Sequence, residues 1–485
     1  MARWTIYATG TLSLLLLIVS IALLIAHTFM GIVEEKIKQA TVLKNGTEVY
    51  EEWVNPPPPI YMQFYFYNVS NPLEVLSGEA PVLQEVGPYT YREYRIRENI
   101  VFHENGTTVS AVNPKTYIFE SDKSVGNPQT DLIRTLNIPV VTIMEKSKDS
   151  LSIIKKIFEA ALRSTKEGMF ITRSVHDLLW GYRDPVLAII HAIYQNISED
   201  FGLFYQMNAT GDGKYEYLSG SADYMEFTQI LEWRGSKSLE WWTSDTCNMI
   251  NGTDGTSFHS LVDKDDTIYI FSSDLCRTLP TVYESSRTVK DIPVYRFAPS
   301  QNTFANVSVN PDNAGFCVPA GNCLPSGLLN VSKCKQGAPI ILSSPHFYQA
   351  DESIVKSING MNPKKENDET FLDINPLTGL LIQAAKRIQI NVHVRKIEGY
   401  EAVTQNIQTL YFPVMHLNES VLIDDKSAEK LSKILLTSRV VSNIPFIIMA
   451  IGLIFGIIFI VLICRTNRAR EEGSEEERGP LIRTS

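Results

Sequence analysis

Two long apolar runs near opposite ends of the chain constrain its fold more than any other feature. Tyr7–Ala26 (YATGTLSLLLLIVSIALLIA) and Ile444–Cys464 (IPFIIMAIGLIFGIIFIVLIC) contain no charged residue. A helix rises about 1.5 Å per residue, so each run can cross a hydrocarbon core about 30 Å thick. The first run is longer than the apolar part of a signal peptide, usually about 7–15 residues, and no small-residue cleavage site follows it. The sequence therefore predicts two transmembrane helices.

Glycosylation sequons indicate on which side of the membrane the intervening chain lies. Neither tail outside the two runs has an Asn-x-Ser/Thr sequon. The sequons between the runs are at Asn45, Asn68, Asn105, Asn196, Asn208, Asn251, Asn306, Asn330 and Asn418. Glycans are added in the lumen, so this one-sided distribution predicts a lumenal domain between two cytosolic termini. Arg3 before the first run and Arg465, Arg468 and Arg470 after the second agree with this orientation.

These observations predict the division of the chain into domains. The predicted segments are a cytosolic tail (1–6), a first transmembrane helix (7–26), a glycosylated lumenal domain (27–443), a second transmembrane helix (444–464) and a cytosolic tail (465–485). The formal net charge is −10, and the lumenal part has no basic cluster. This charge balance argues against nucleic acid as a partner.

The lumenal part contains five cysteines, and Cys464 ends the second apolar run. An oxidising compartment favours disulfides among Cys247, Cys276, Cys317, Cys323 and Cys334. An odd number leaves at least one of the five outside an intramolecular pair, and spacing alone does not select the pairs. A zinc site is the alternative, but the C-x5-C spacing fits it poorly.

Residue patterns predict a mostly β domain that a group of helices interrupts. Apolar, aromatic and β-branched residues alternate over 60–119 and again at 267–271, 292–297, 387–397 and 409–417, which is typical of antiparallel strands. Between about 145 and 205 the period becomes helical. Ser174 and Asp184-Pro185 carry helix-start signals within this region. The prediction is an α+β fold with about three helices in one cluster.

No enzyme motif is present in the sequence. It contains no G-x-S-x-G, H-E-x-x-H or P-loop motif, so we expect no catalytic site. None of the eight histidines pairs with another at metal-ligand spacing, so we expect neither a metal site nor a cofactor site. His176 and His191 lie in the helical region. Histidine titrates between about pH 5 and 8, so each is either a sensor of an acidic lumen or an ordinary surface residue.

Two further patterns allow both a packing and a binding interpretation. The first predicted helix has a broad apolar face, which either packs within the helical cluster or docks another protein. The residues of this face are Ile153, Ile154, Ile157, Phe158 and Leu162. Gly452 and Gly456 form a G-x-x-x-G pair in the second apolar run. That pair packs either against the first run or against a second copy of the chain, which would form a homodimer.

The last residues contain a specific short motif. Glu477 precedes the Leu481-Ile482 pair by four residues in a polar tail. An extended peptide can place two aliphatic side chains in an apolar pocket and an acid against a basic patch. The pattern matches the acidic dileucine signal that clathrin adaptor complexes bind, and it predicts transport to endosomes and lysosomes.

Motifs throughout the chain resemble the class B scavenger receptor family. The segments that carry this resemblance are QFYFYNVSNP (63–72), EVGPYTYRE (85–93), DLIRTLNIPV (131–140), DNAGFC (312–317), SPHFYQAD (344–351), INPLTGLLIQAAKRIQIN (374–391) and FPVMHLNES (412–420). LLWGYRDPVL, CNMINGTDG and ERGPLIRT are similar to the lysosomal members of the family. The resemblance covers nearly the whole chain.

The resemblance implies a fold and two functions. It implies an antiparallel β-barrel with an apical helical bundle and an internal apolar tunnel. Its lysosomal members imply a receptor that binds the acid hydrolase β-glucocerebrosidase through the apical helices and releases it as the pH falls. The alternative is a lipid receptor whose tunnel carries cholesterol or phospholipid to the membrane. The resemblance also implies Cys276–Cys334 and Cys317–Cys323 disulfides with Cys247 free.

Overall fold

The computed structural model of the protein describes residues 2–195 and 197–476. The chain forms two compact units. One combines Met1–Ala40 with Glu429–Ser485, and the other is Thr41–Ala428. The apolar terminal runs therefore belong to the first unit, and almost all of the predicted lumenal domain belongs to the second.

Helices are most extensive in the first unit and in residues 138–193 of the second unit. The α-helices are α1 (Ala2–Ile25), α2 (Thr28–Ala40), α3 (Glu48–Val54), α4 (Pro72–Ser77), α5 (Ile138–Ser147), α6 (Ser152–Thr165), α7 (Val175–Trp180), α8 (Pro185–Ile193), α9 (Glu352–Lys356), α10 (Lys365–Asp368), α11 (Glu401–Thr404), α12 (Asp425–Ser442) and α13 (Ile444–Glu476). Short 3₁₀ turns include Pro311–Phe316 and Pro345–Phe347.

Strands make up most of the second unit. They are β1 (Ile60–Val69), β2 (Leu83–Tyr94), β3 (Glu98–His103), β4 (Thr108–Val112), β5 (Thr116–Phe119), β6 (Leu132–Leu136), β7 (Phe170–Ser174), β8 (Tyr182–Arg183), β9 (Asp200–Phe201), β10 (Lys214–Leu218), β11 (Ile230–Trp233), β12 (Thr267–Ser272), β13 (Arg277–Val289), β14 (Ile292–Pro299), β15 (Leu329–Asn330), β16 (Ile340–Ser343), β17 (Phe371–Ile374), β18 (Leu381–Val394) and β19 (Leu410–Leu422). Each segment with the alternating residue pattern of a strand coincides with one or more of these strands. The predicted β structure is therefore confirmed.

Within the first unit, α1 packs against α13. Trp4–Ile25 and Ile444–Glu471 are long and apolar enough to cross a membrane. Ser13 Oγ donates a 2.8 Å hydrogen bond to the carbonyl of Gly452, and a Cβ added to Gly456 would lie 3.0 Å from Ser13 Oγ. The G-x-x-x-G surface is thus occupied by the first helix of the same chain. This contact with the first run is one of the two arrangements that the sequence predicts.

The main sheet of the second unit is antiparallel and has two ends. Its strand order is β12-β13-β14-β17-β18-β19-β1-β2-β5, and β15 and β16 are added through β18. Along β1 the side chains alternate between buried and half-buried positions from Ile60 to Tyr65, as the sequence pattern predicts. Within the described residues no ladder joins β12 to β5, so these strands form an open sheet rather than the expected closed barrel. A four-stranded sheet, β11-β10-β4-β3, lies in the same unit.

The helical cluster of the second unit consists of α5 to α8. The predicted start signals are confirmed, because the side chains of Ser174 and Asp184 accept backbone N–H groups at the beginnings of α7 and α8. The sequence predicts about three helices from about residue 145, whereas the structure has four that begin earlier. The cluster begins with α5 at Ile138, where Asn137 caps the helix and proline occupies its second position. Burial of the β-branched residues in the core outweighs their weak helix propensity there.

Candidate functional site

Helix α6 places apolar side chains both in the core and on the protein surface. It packs against α5 and α8. Ala161 and Leu162 are buried by this packing, and Phe158 packs against the core from a half-buried position. Ile153 and Ile157, one helical turn apart, are 63% and 44% exposed. One edge of this helix therefore remains uncovered.

The five residues predicted to bind a partner consequently do not act as one group. Leu162 is 2% exposed, so its assignment to a contact surface is corrected: it stabilises the helical cluster. Ile154 is half-buried. The uncovered residues are Leu151, Ile153 and Ile157, which we name the α6 surface. Ile193 and Tyr194 at the end of α8 are also exposed, and this second group was not recognised from the sequence.

Positive charge accompanies the α6 surface. Lys156 is exposed between Leu151 and Ile157 in the sequence. Lys155 Nζ donates a 3.1 Å hydrogen bond to the carbonyl of Glu398, which anchors the start of α6 to a neighbouring loop. An apolar surface with basic neighbours favours a partner whose apolar contact residues are bordered by carboxylates.

The two histidines proposed as pH sensors lie in the helical cluster but have different surroundings. The backbone N–H of His176 donates to the carbonyl of Pro128, and its Nδ1 lies 3.9 Å from the Asp177 carboxylate. His191 Nδ1 lies 2.6 Å from the carbonyl oxygen of Ile197. Both rings are partly exposed, so water and protons can reach them.

The glycosylation sequons fall into two groups. Asn45, Asn105 and Asn208 are exposed, whereas Asn68, Asn251, Asn306, Asn330 and Asn418 are half-buried. Asn418 Nδ2 donates to Gln63 Oε1 within the main sheet, and Asn306 Nδ2 donates to the carbonyl of Leu324. The exposed group therefore has more room for a glycan in the folded structure. Asn196 lies outside the described residues, as do Glu477, Leu481 and Ile482 of the tail motif.

Two disulfides connect four of the five cysteines between the apolar runs. Cys276 is bonded to Cys334, and Cys317 is bonded to Cys323. Cys247 is free and buried. These are the pairs that the family resemblance implies. Sequence spacing could not select them, because the first bond joins residues 58 positions apart.

A group of buried and half-buried charged side chains, which we name the interior charge cluster, was not found from the sequence. Its members are Glu93, Arg95, Lys115, Asp274, Lys386 and Glu419. Arg95 forms ion pairs with Glu93 and Glu419, and Lys386 forms ion pairs with Asp274 and Glu419. Burial alone would raise the pKa of Glu419, but Arg95 and Lys386 hold it far below its usual range. Lys386 and Lys115 similarly hold the pKa of Asp274 far below its usual range, against the effect of burial.

Two members of this cluster remain partly accessible to solvent. The side chains of Lys386 and Asp274 keep 29% and 36% of their accessible surface. Water can therefore reach this part of the cluster.

Histidines that are far apart in the sequence meet in the structure. His346 and His416 have ring centroids 5.6 Å apart, and both lie near Glu85. Burial lowers the pKa of His416 to about 4. Sequence spacing could not find this group, because its members come from separate strands and a turn.

Comparison with known proteins assigns the chain to a family. Residues 11–463 match the CD36 family. The chain is 53% identical to Lysosome membrane protein 2 of Rattus norvegicus and 52% identical to the human protein of that name, with 100% of both chains covered in each case. It is 32% identical to Scavenger receptor class B member 1 of Rattus norvegicus over 97% of this chain and 91% of the relative. These names are those of a membrane protein and a receptor, and the resemblance found in the sequence motifs is confirmed. The chain belongs to the CD36 family.

Proposed function

We propose that this protein is a two-pass lysosomal membrane receptor that binds β-glucocerebrosidase in the endoplasmic reticulum and releases it in the acidic lysosome. Its lumenal domain carries the cargo, and both termini lie in the cytosol, where clathrin adaptor complexes bind the C-terminal tail. The relatives named Lysosome membrane protein 2 align over the full chain and support the lysosomal location.

One observation carries the proposed cargo site. The α6 surface presents Leu151, Ile153 and Ile157 to solvent on the helical cluster of a glycosylated domain. Large apolar side chains that are exposed together typically mark protein-binding sites. Their neighbour Lys156 supplies a basic group for the edge of the interface.

Placing charge on the α6 surface is expected to abolish cargo binding. In the Ile153→Asp/Ile157→Asp variant, two carboxylates would have to be desolvated without partners in the interface. We expect β-glucocerebrosidase capture by the purified full-length chain at pH 7 to fall at least tenfold, corresponding to a loss of about 1.4 kcal/mol or more. Capture is measured by immunoprecipitation and by the dissociation constant of the purified pair.

Val309→Asp is the matched control, because Val309 is also an exposed aliphatic residue but lies outside the helical cluster. Its cargo capture should equal that of the unmodified chain. Full capture by the α6 double variant would place the binding site elsewhere.

Repeating the capture at pH 5 with His176→Gln and His191→Gln variants tests the pH switch. The residue responsible for release is the one whose replacement leaves the cargo bound at pH 5.

Lipid transport is the second function we propose, as the class B scavenger receptor relatives suggest. The Asp274 and Lys386 side chains are 36% and 29% exposed, so their charges can contact a bound lipid. Their charge favours a polar lipid headgroup over a sterol ring at this point. Lipid analysis of the purified chain should then yield bound phospholipid or cholesterol, and lipid-free protein from a native membrane would contradict this proposal.

The tail supplies a separate test of the lysosomal location. Replacing Leu481 and Ile482 with alanine removes both aliphatic side chains of the dileucine motif. We expect the variant to accumulate at the cell surface, as measured by surface biotinylation, while cargo capture stays unchanged. Arg483→Ala is the control, because it changes the residue next to the pair and keeps both aliphatic side chains. Continued lysosomal residence of the double variant would mean that another segment directs transport.

A further inference from the structure

Strand register brings three metal-ligating side chains to one face of the main sheet. Glu85 lies on β2 opposite Tyr67 of β1, and His416 lies on β19 opposite Tyr65 of β1. His346 belongs to the 3₁₀ turn Pro345–Phe347, directly after β16. The ligand atoms of Glu85, His346 and His416 all lie within 4.8 Å of one another.

The distances bracket those of a tetrahedral metal site. His346 Nε2 lies 2.7 Å from Glu85 Oε2, and His416 Nδ1 lies 4.0 Å from the same oxygen. Zinc bonds of about 2.0–2.1 Å place tetrahedral ligand atoms about 3.3 Å apart. A movement of well under 1 Å at each side chain would therefore make room for an ion. The ligand set of two imidazoles and one carboxylate is typical of zinc sites that keep a position open.

Buried polar groups fix the surroundings of these ligands. Gln389 is fully buried, and its Oε1 accepts hydrogen bonds from the Tyr67 hydroxyl at 2.7 Å and from the backbone N–H of His346 at 2.8 Å. The Tyr67 hydroxyl also lies 3.0 Å from His416 Nδ1. Tyr65 stacks on the His416 ring at a centroid distance of 4.6 Å. Such outer contacts orient the ligands of a metal site and strengthen its affinity.

The backbone at His346 is an independent observation. Its φ angle is +51°, in the left-handed region that a residue with a side chain rarely adopts. This conformation directs the imidazole toward Glu85, and the hydrogen bond from the His346 N–H to Gln389 stabilises it. Backbone conformations of this kind cluster at ligand-binding sites.

We propose that Glu85, His346 and His416 bind a divalent transition-metal ion, with Zn²⁺ as the best match to this ligand set. Water or the Tyr67 hydroxyl oxygen would take the fourth position. In the present geometry Asn362 N–H donates to His346 Nδ1 at 3.3 Å, so the proton of the neutral ring is on Nε2. On metal binding that proton moves to Nδ1, Nε2 takes the metal, and the long hydrogen bond from Asn362 is lost. The Tyr67 hydroxyl hydrogen goes to Gln389, so His416 Nδ1–H donates to the Tyr67 oxygen in the metal-free geometry. On metal binding this second proton moves to His416 Nε2, and Nδ1 exchanges its hydrogen bond with Tyr67 for the metal.

The test is metal titration of the full-length glycosylated chain in detergent after removal of metals with a chelator. We expect one equivalent of Zn²⁺ to bind and to raise the melting temperature. Co²⁺ should give the visible absorption of a tetrahedral site. The variants His346→Gln and Glu85→Gln should each weaken Zn²⁺ binding at least about tenfold and remove the cobalt spectrum.

His393→Gln is the matched control. His393 is half-buried on the neighbouring strand β18, where it stacks on Tyr411 instead of facing Glu85. This variant should bind Zn²⁺ like the unmodified chain. His346 and Glu85 are partly exposed, so their variants should retain the unmodified near-UV circular dichroism spectrum. Equal Zn²⁺ affinity in folded His346→Gln protein, or the absence of Zn²⁺ binding by the unmodified chain, would overturn the proposal.

Discussion

Replacing Glu419 with glutamine should lower the stability of the β-rich unit Thr41–Ala428 by about 3–5 kcal/mol. Glu419 pairs with both Arg95 and Lys386 in the interior charge cluster, and only 10% of its side chain is exposed. Removing its charge leaves Arg95 and Lys386, whose side chains are only 16% and 29% exposed, with one carboxylate partner fewer each. An uncompensated buried charge costs far more than the loss of an exposed ion pair.

The measurement is thermal or denaturant-induced unfolding of the purified full-length chain, followed by tryptophan fluorescence. Glu352→Gln is the matched control, because Glu352 forms an exposed pair with Lys356 on α9. The control should unfold like the unmodified chain. A Glu419→Gln variant with the same midpoint as the control would show that water reaching the partly exposed Lys386 compensates for the lost carboxylate.

The effect of this substitution should also depend on pH. The folded pKa of Glu419 lies well below the unfolded value of about 4.3, because Arg95 and Lys386 outweigh burial. The stabilisation is therefore fully present above the unfolded pKa and is lost as the pH falls toward the folded pKa. The difference between the variant and the unmodified chain should stay constant from pH 7 to pH 5 and decrease below about pH 4. Glu419 thus remains ionised at pH 5.

Local patterns predicted the parts of this fold that local interactions determine. The alternating segment 60–69 is strand β1, and the Asp184-Pro185 start signal begins α8, because strand alternation and helix caps depend on neighbouring residues. Helix α5 was missed, since its β-branched residues favour a strand unless the core covers them.

The functional groups were harder to predict because they depend on strand register. Glu93 and Glu419 come from β2 and β19, which are separated by β1 in the sheet. No spacing rule along the chain relates them, and the same holds for Glu85 and His416. The α6 surface, in contrast, lies on one helix, so the sequence pattern could indicate it. Its helical face was recognised, but only the packing of α6 against α5 and α8 separates exposed Ile153 from buried Leu162.

Removing the Cys276–Cys334 disulfide should destabilise the β-rich unit more than removing the Cys317–Cys323 disulfide. The two bonds join residues 58 and 6 positions apart. Loop-closure entropy gives about 4 kcal/mol of stabilisation for the long loop and about 2 kcal/mol for the short one. Both members of each pair are replaced with alanine, so that no single thiol is left to form a wrong bond.

Cys247→Ala is the control for the loss of a buried sulfur atom, because Cys247 is buried and free. Subtracting its effect on the unfolding midpoint isolates the contribution of each cross-link. Equal losses for the two disulfides would mean that native contacts, rather than restriction of the unfolded chain, determine their effect. That outcome would make the packing around Cys276, where Trp242 Nε1 donates a 2.7 Å hydrogen bond to its carbonyl, the main source of stability there.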